Sequence, residues 1–261
     1  MDPLGAVRTA GRRYWKPTLV VVLVAAVVAS AGTALYFSQG FHGNAASIEQ
    51  VRANENVNVE RANGGYVLSP AANPPTTAIV FYPGARVEPD AYLATFAPVV
   101  ERSSVTVYVP DMPLNVGLLG VGTAGEIQRS SPAVERWYVG GHSLGGVAAC
   151  RYASNNPDGV DGLVLLASYC DQDVSDSGLA ALSVTGSRDT VLEQQAHADA
   201  RSRLPADARY HVIEGANHSQ FGSYRGQRGD RRATISYEEA HDRIATVVVE
   251  WLANGTEASG L

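Results

Sequence analysis

The chain of 261 residues is 45% hydrophobic and 18% charged, which suits one folded domain and excludes a disordered or fibrous protein. The first 40 residues carry four of the 20 basic residues and one of the 26 acidic residues, so the remainder has a net charge of −9. An acidic body without a basic stripe excludes nucleic acid as a partner, because phosphate binding needs a positive surface.

A long apolar segment precedes this acidic body. The 21 residues from Pro17 to Phe37 contain no charge, and at about 1.5 Å per residue a helix of this length spans the roughly 30 Å hydrocarbon layer of a bilayer. All basic residues of the region precede the segment: Arg8, Arg12, Arg13 and Lys16. This asymmetry predicts a transmembrane helix at residues 17–37, with residues 1–16 in the cytoplasm and the body outside it.

A second interpretation of the same segment stays open. Ala29-Ser30-Ala31 follows the apolar run and has the small-residue pattern of a signal-peptide cleavage site, so residues 1–31 could be removed and the body secreted. Residues 38–56 are polar, contain two glycines and predict a tether with a short helix at its end. The remaining residues, 57–261, are predicted to form the folded domain.

The domain alternates short apolar runs with helical stretches. The later runs are continuous rather than alternating, as in strands buried on both faces. The eight predicted strands are Val57–Glu60, Tyr66–Ser69, Ala78–Tyr82, Val105–Val109, Trp137–Gly140, Leu163–Ala167, Leu182–Thr185 and Tyr210–Ile213. The predicted helices are Asp90–Arg102, Leu144–Ser154, Val191–Arg203 and Tyr237–Leu252. This order predicts an α/β fold with a doubly wound, mostly parallel eight-stranded sheet and antiparallel strands at one edge.

A G-x-S-x-G motif lies between the fifth strand and the helix that follows it, as Gly141-His142-Ser143-Leu144-Gly145. The glycines let the strand and helix backbones approach closely, and the serine is then exposed on a sharp turn at the helix N-terminus. Amide groups at that position stabilise a developing negative charge. The motif therefore predicts that Ser143 is a nucleophile.

A serine nucleophile needs a histidine base that a carboxylate orients. Asp189 and His218 follow the seventh and eighth strands, at the carboxyl edge of the sheet, where the sites of such folds form. Their order along the chain predicts Ser143, Asp189 and His218 as a catalytic triad. Asp171 and Asp173, after the sixth strand, are alternative positions for the acid.

Acyl transfer also needs two N–H donors that stabilise the oxyanion of the tetrahedral intermediate. The amide of Leu144 directly follows the nucleophile. In the loop after the third strand Pro83 has no N–H, so Ala85 is the better second donor. Leu144 and Ala85 are therefore the predicted oxyanion hole.

These motifs make the chain similar to the α/β-hydrolase superfamily, and within it to small lidless bacterial serine hydrolases distantly akin to dienelactone hydrolases. The resemblance covers about residues 57–253 and rests on FYPGARVEPDAY, YVPDMPLN, VGGHSLGG, LVLLASY, TGSRD and GANHSQFG. It implies an eight-stranded sheet, the triad and the oxyanion donors given above. Dienelactone hydrolases have a cysteine where this chain has Ser143, so the resemblance does not extend to their substrate.

The resemblance and the motifs predict a membrane-anchored serine hydrolase that cleaves a small-molecule carboxylic ester or thioester, without a metal or an organic cofactor. An acyltransferase or a peptidase on the same triad is an alternative. A non-catalytic envelope protein that uses the fold for binding is the alternative from another class. The sequence does not indicate an oligomeric state.

Two loops are expected to border the site. Residues 111–122 form an apolar, glycine-containing loop that either binds an acyl chain or packs over the sheet. Four arginines follow His218 closely, and they either attract an anionic substrate or lie in a solvated loop: Arg225, Arg228, Arg231 and Arg232.

The two cysteines are too few for a disulfide scaffold. Cys150 lies inside a predicted helix and Cys170 just past a strand. We therefore expect two small buried thiols rather than a disulfide.

Overall fold

The structure, a computed structural model, describes residues 3–62, 64–72 and 75–258. Within these ranges it describes only the backbone of residues 3–18, 20, 21 and 255–258. The chain divides into two compact units, Met1–Gln39 and Gly40–Leu261.

The first unit is a helix, α1 (Pro3–Ser38). Most of its described large apolar side chains are exposed, and Phe37 is half-buried; the exposed ones are Leu19, Val22, Leu23, Val24, Val27, Val28, Leu35 and Tyr36. No helix in the described part of the chain has an apolar stretch long enough to cross a membrane. The expected span 17–37 includes four residues whose side chains fall outside that part: Pro17, Thr18, Val20 and Val21.

The second unit is built on an eight-stranded sheet, as predicted. Its strands are β1 (Val57–Ala62), β2 (Gly65–Pro70), β3 (Thr77–Tyr82), β4 (Thr106–Pro110), β5 (Arg136–His142), β6 (Gly162–Leu166), β7 (Ala180–Gly186) and β8 (Arg209–Ile213). They lie in the order β1-β2-β4-β3-β5-β6-β7-β8. The hairpin β1–β2 pairs antiparallel with β4, and every other pair is parallel. The prediction of a mostly parallel sheet with an antiparallel edge is confirmed.

Helices cover both faces of this sheet. They are α2 (Ala45–Arg52), α3 (Leu93–Arg102), α4 (Thr123–Ser130), α5 (Leu144–Asn155), α6 (Gln194–Asp199) and α7 (Tyr237–Ala258). The central strands alternate between two apolar layers: Ile79 and Phe81 face one layer, and Val80 and Tyr82 face the other. Burial on both sides explains why these strands have continuous apolar sequences.

The second unit begins earlier than residue 57. Its boundary at Gly40 places most of the expected tether, residues 38–56, within the compact unit. The short helix expected there is α2, which begins after Asn44, whose side chain accepts hydrogen bonds from the amides of Ala46 and Ser47. Residues 40–56 are therefore part of the folded unit rather than a free linker.

The prediction of two free thiols is wrong, because Cys150 and Cys170 form a disulfide. The turn from β5 into α5 folds the helix back along β6, so that Cys150 on α5 lies beside the chain that leaves β6. The Cα atoms are 5.3 Å apart, within the range that a disulfide spans. The sequence placed the cysteines on different elements, and only the packing of those elements brings them together.

Candidate active site

The turn at Ser143 has the backbone geometry of a nucleophile elbow. Ser143 has a φ of 52° and a ψ of −125°, which residues with a side chain rarely adopt. Its amide donates a hydrogen bond to the carbonyl of Leu166 (3.0 Å), and its own carbonyl accepts from Ser168 Oγ (2.6 Å) and from the amide of Gly146 (3.0 Å). Three hydrogen bonds thus hold the strained residue, and its side chain is half-buried at the start of α5.

The glycines of the motif are required by close backbone contacts. A Cβ atom on Gly145 would lie 2.1 Å from the carbonyl oxygen of Tyr82 and 2.3 Å from that of Pro83. A Cβ atom on Gly141 would lie 2.3 Å from the carbonyl carbon of Gly145. The closeness of Gly145 to the carbonyls of Tyr82 and Pro83 also shows that the loop after β3 lies directly against the N-terminus of α5.

Asp189 and His218 form a buried hydrogen-bonded pair. Asp189 Oδ2 is 2.8 Å from His218 Nδ1, and both side chains are at most 2% exposed. Asp189 Oδ1 accepts from the amides of Val191 and Leu192, each at 2.9 Å. Because a carboxylate only accepts hydrogen bonds, Nδ1 of His218 carries the donated proton, and Nε2 is left as an acceptor.

Asp230 fixes the backbone around His218, and sequence analysis did not find it. Its Oδ1 accepts from the amide of His218 (3.0 Å), and its Oδ2 accepts from the amide (2.9 Å) and hydroxyl (2.5 Å) of Ser219. Asp230 follows His218 by 12 residues, inside the arginine-rich loop. No local pattern marks it, because the contact depends on how that loop folds back.

His142, which directly precedes Ser143, is a second residue to which the sequence analysis assigned no role. Its ring is fully buried and its centroid is 4.5 Å from that of His218. Nδ1 of His142 is 2.9 Å from the hydroxyl of Tyr92, which also accepts from the amide of Gly84 at 2.8 Å. His142 therefore connects the elbow, the ring of His218 and the loop after β3.

The protonation of His142 follows from these contacts. Burial and the neighbouring His218 imidazole lower its pKa well below the ordinary value, with only the backbone of His218 acting in the opposite direction. Since the Tyr92 oxygen already accepts from Gly84, its proton is available to Nδ1 of a neutral His142. Nε2 then carries the ring proton, and it is buried without a hydrogen bond of normal geometry.

The predicted oxyanion donors lie where the loop after β3 meets α5. Leu144 is the first residue of α5, so its amide has no partner within the helix. The amide of Gly84 is already used by Tyr92, which leaves Ala85 as the next donor of the loop. Leu144 and Ala85 are both half-buried, as Ser143 is.

The alternative acids are engaged elsewhere. Asp171 Oδ2 accepts from Nε (2.9 Å) and Nη2 (2.7 Å) of Arg151. Asp173 Oδ1 accepts from the amide (3.1 Å) and hydroxyl (2.7 Å) of Ser175. Of the three aspartates considered from the sequence, Asp189 is the one that contacts His218.

Two further features of the described residues concern possible metal ligands and surface grooves. No three His, Cys, Asp or Glu side chains in the described part lie close enough to hold a metal ion. A surface groove of about 610 Å³ lies between α2, α3 and α7, and it is not lined by Ser143, Asp189 or His218. The pairing of buried polar groups at the carboxyl edge, rather than the size of a cavity, marks the candidate site.

A sequence profile of the alpha/beta hydrolase family matches residues 78–242, and the chain therefore belongs to this family. Three solved structures are similar to it, and each similarity covers 76% of this chain. A protein described as a predicted CIB-like hydrolase from Thermoplasma acidophilum is 20% identical, with a TM-score of 0.54 and 98% of its own chain covered. Est1E from Butyrivibrio proteoclasticus is 11% identical, with a TM-score of 0.53 and 99% covered, and the esterase domain of a Rhodothermus marinus protein is 12% identical, with a TM-score of 0.55 and 97% covered. No curated protein matches the chain. At these identities the similarity shows the fold alone, and the closer likeness to dienelactone hydrolases stays a prediction.

The buried histidines predict how stability depends on pH. Burial lowers the pKa of both His142 and His241 below the ordinary value of about 6.5, so below that pH the unfolded chain binds protons that the folded chain does not. The free energy of unfolding is expected to decrease as the pH falls from about 6.5 to about 5, by up to roughly 1.4 kcal/mol per pH unit for each histidine.

Urea unfolding at a series of pH values measures this slope. His241 Nε2 is 3.0 Å from the carbonyl oxygen of Gly222, and His241→Gln keeps a donor there without a titrating ring, so the slope should become smaller. Ser130→Ala, at an exposed serine at the end of α4 that does not titrate in this range, is the control and should leave the slope unchanged. A stability that stays constant over this pH range contradicts the prediction.

Proposed function

We propose that this chain is a serine hydrolase that cleaves a carboxylic ester or thioester through Ser143, His218 and Asp189. The observation that carries the proposal is the buried Asp189–His218 hydrogen bond, taken together with the positive φ of Ser143. His142 supports it further, because the residue directly before Ser143 contacts the ring of His218. His142 is therefore a common neighbour of Ser143, along the chain, and of the His218 imidazole, through ring contact.

The mechanism follows from these roles. His218 Nε2 accepts the proton of Ser143 Oγ as this oxygen attacks the acyl carbon. The amides of Leu144 and Ala85 donate to the resulting oxyanion. The intermediate collapses, the leaving alcohol or thiol takes the proton from His218, and the acyl group stays on Ser143. A water molecule, deprotonated by His218, then releases the carboxylic acid and restores Ser143.

The polar groups of the site favour catalysis over binding alone. Burying a carboxylate and an imidazole and holding a serine at positive φ each cost free energy, which a binding protein has no reason to retain in this combination. An acyltransferase or a peptidase would use the same triad. Both differ from the proposed hydrolase in the acceptor or in the bond that is cleaved, and the products distinguish them.

Replacing the nucleophile tests the proposal most simply. Ser143→Ala is expected to lower kcat for an activated ester by on the order of 10⁴ or more, because no other group forms the acyl-enzyme. Covalent labelling by a fluorophosphonate should also disappear, while the melting temperature stays near that of the wild type. Ser130→Ala, at an exposed serine at the end of α4, is the control and should react as the wild type does. Labelling that persists in Ser143→Ala contradicts the assignment.

The acid is tested separately. In Asp189→Asn the side-chain amide turns a donor toward Nδ1 of His218 and favours the wrong tautomer, so we expect kcat to fall on the order of 10⁴-fold. Asp173→Asn is the same change at an exposed carboxylate that contacts Ser175, and it should leave the rate unchanged. Activity of Asp189→Asn within about tenfold of the wild type would place the acid elsewhere.

We also propose that residues 17–37 anchor the protein in a membrane with the catalytic unit outside the cytoplasm. The uncharged segment lies wholly within α1, and most of its described apolar side chains are exposed. The basic residues before it favour a cytoplasmic N-terminus. The Cys150–Cys170 disulfide supports the same compartment, because disulfides persist mainly outside the cytoplasm.

Protease treatment of intact spheroplasts tests this topology. Digestion of the catalytic unit is expected, while a cytoplasmic marker protein stays intact. The N-terminus of the mature protein then distinguishes an anchor from a signal peptide, because cleavage after Ala31 would leave Gly32 as the first residue. Protection of the unit until the cells are lysed contradicts the orientation.

A further inference from the structure

The second unit begins beside the candidate active site. The amide of Phe41 donates to the carbonyl of Arg86 (2.6 Å), and the carbonyl of Phe41 accepts from the amide of Glu88 (3.0 Å). The Phe41 ring stacks on that of Tyr224, with centroids 5.4 Å apart. Residue 41 is therefore fixed between the loop that carries Ala85 and the chain that follows His218.

Phe41 also follows the proposed span closely in the sequence. Four peptide units separate it from Phe37, the last residue of that span.

Two leucines are exposed at the carboxyl edge of the sheet. Leu114 is 46% and Leu119 is 59% exposed, in the loop after β4 that the sequence marked as apolar. Leu114 and the next residue, Asn115, have φ values of 52° and 54°, in the left-handed region. Their loop is held by a hydrogen bond from the amide of Arg86 to the carbonyl of Asn115 (2.8 Å). The leucines are thus kept outward by an ordered loop beside the predicted oxyanion donor.

Four exposed arginines lie in the chain after Tyr224, whose ring stacks on that of Phe41: Arg225, Arg228, Arg231 and Arg232. None of them forms an ion pair with a carboxylate of the described residues. Asp230, the acid within their loop, is engaged by His218 and Ser219. The loop reaches Phe41, since a Cβ atom on Gly226 would lie 3.6 Å from its ring. An acidic unit therefore carries four exposed arginines in the loop beside Phe41.

Leu114, Leu119 and the four arginines together form what we call the rim surface. We propose that the rim surface rests on an anionic lipid bilayer and that the substrate is an ester of an amphiphile in that bilayer. The inference rests on the proposed function and on the proposed anchor. Apolar side chains flanked by basic ones are the combination that binds the interface of anionic membranes. Hydrolysis then adds water across the acyl–oxygen bond and yields a carboxylic acid and an alcohol.

The position of the leucine loop can be measured in the full chain. The protein with Leu119→Cys, or in a second preparation Leu114→Cys, is labelled with an environment-sensitive nitrobenzoxadiazole probe and reconstituted in vesicles. The vesicles are phosphatidylcholine alone or phosphatidylcholine mixed with phosphatidylglycerol. Asp158→Cys, in an exposed turn before β6 at the opposite edge of the sheet, carries the control probe.

We expect the probes at positions 114 and 119 to shift to the blue and to be quenched by spin-labelled lipid, and the probe at 158 to do neither. The quenching should increase with phosphatidylglycerol, and Arg225→Glu with Arg228→Glu should remove that increase. No quenching at either leucine position, or equal quenching at position 158, overturns the proposal. Quenching that does not respond to phosphatidylglycerol or to the arginine changes overturns its anionic part.

Activity separates this inference from the proposed function. In the double variant Leu114→Asp with Leu119→Asp, the rate of hydrolysis of an ester in the bilayer, divided by the rate for a soluble ester, should fall at least about tenfold. Withdrawing only two methylene groups from lipid already weakens membrane binding by about that factor. An unchanged ratio overturns the rim surface while the serine hydrolase stands. A wild-type protein that hydrolyses neither ester overturns the proposed function instead.

Discussion

The left-handed backbone of Ser143 is the constraint on which the rest of the site depends. A residue with a side chain at this φ is held only if its surroundings determine it, and here the chain after β6 does so through Leu166 and Ser168. The disulfide joins α5 to the same segment, two residues beyond Ser168. The helix that begins at the elbow and the segment that holds the elbow are thus covalently linked. We therefore regard the cysteines as part of the support of Ser143.

Around the elbow, the buried polar groups form two connected sets. Asp230 holds the backbone of His218 and Asp189 holds its ring, so both the position and the tautomer of the proposed base are determined. His142 and Tyr92 join the elbow to the loop after β3. The buried Nε2 of His142 lacks a hydrogen bond of normal geometry, a cost that proteins accept mainly at functional sites. These hydrogen bonds explain how the loops after β3, β7 and β8 keep fixed positions around Ser143.

Much of this arrangement could be predicted from local sequence. Strands buried on both faces have continuous apolar runs, and the glycine spacing of the elbow reflects contacts between chain neighbours, so both are visible without the fold. That Asp189 and His218 lie together could be predicted because each follows a strand at the same edge. The disulfide, Asp230 and the contact of His142 with His218 were not found. Each of these depends on how distant segments pack, and no residue pattern encodes that packing locally.

The central claim is that Ser143 attacks an acyl carbon while Leu144 and Ala85 stabilise the oxyanion. The most direct test is a crystal structure of the protein after reaction with a fluorophosphonate, whose tetrahedral phosphorus stands for the acyl intermediate. We predict a bond from Ser143 Oγ to phosphorus and a phosphoryl oxygen within hydrogen-bond distance of the amides of Leu144 and Ala85. An adduct on another residue, or a phosphoryl oxygen directed away from both amides, would contradict this account.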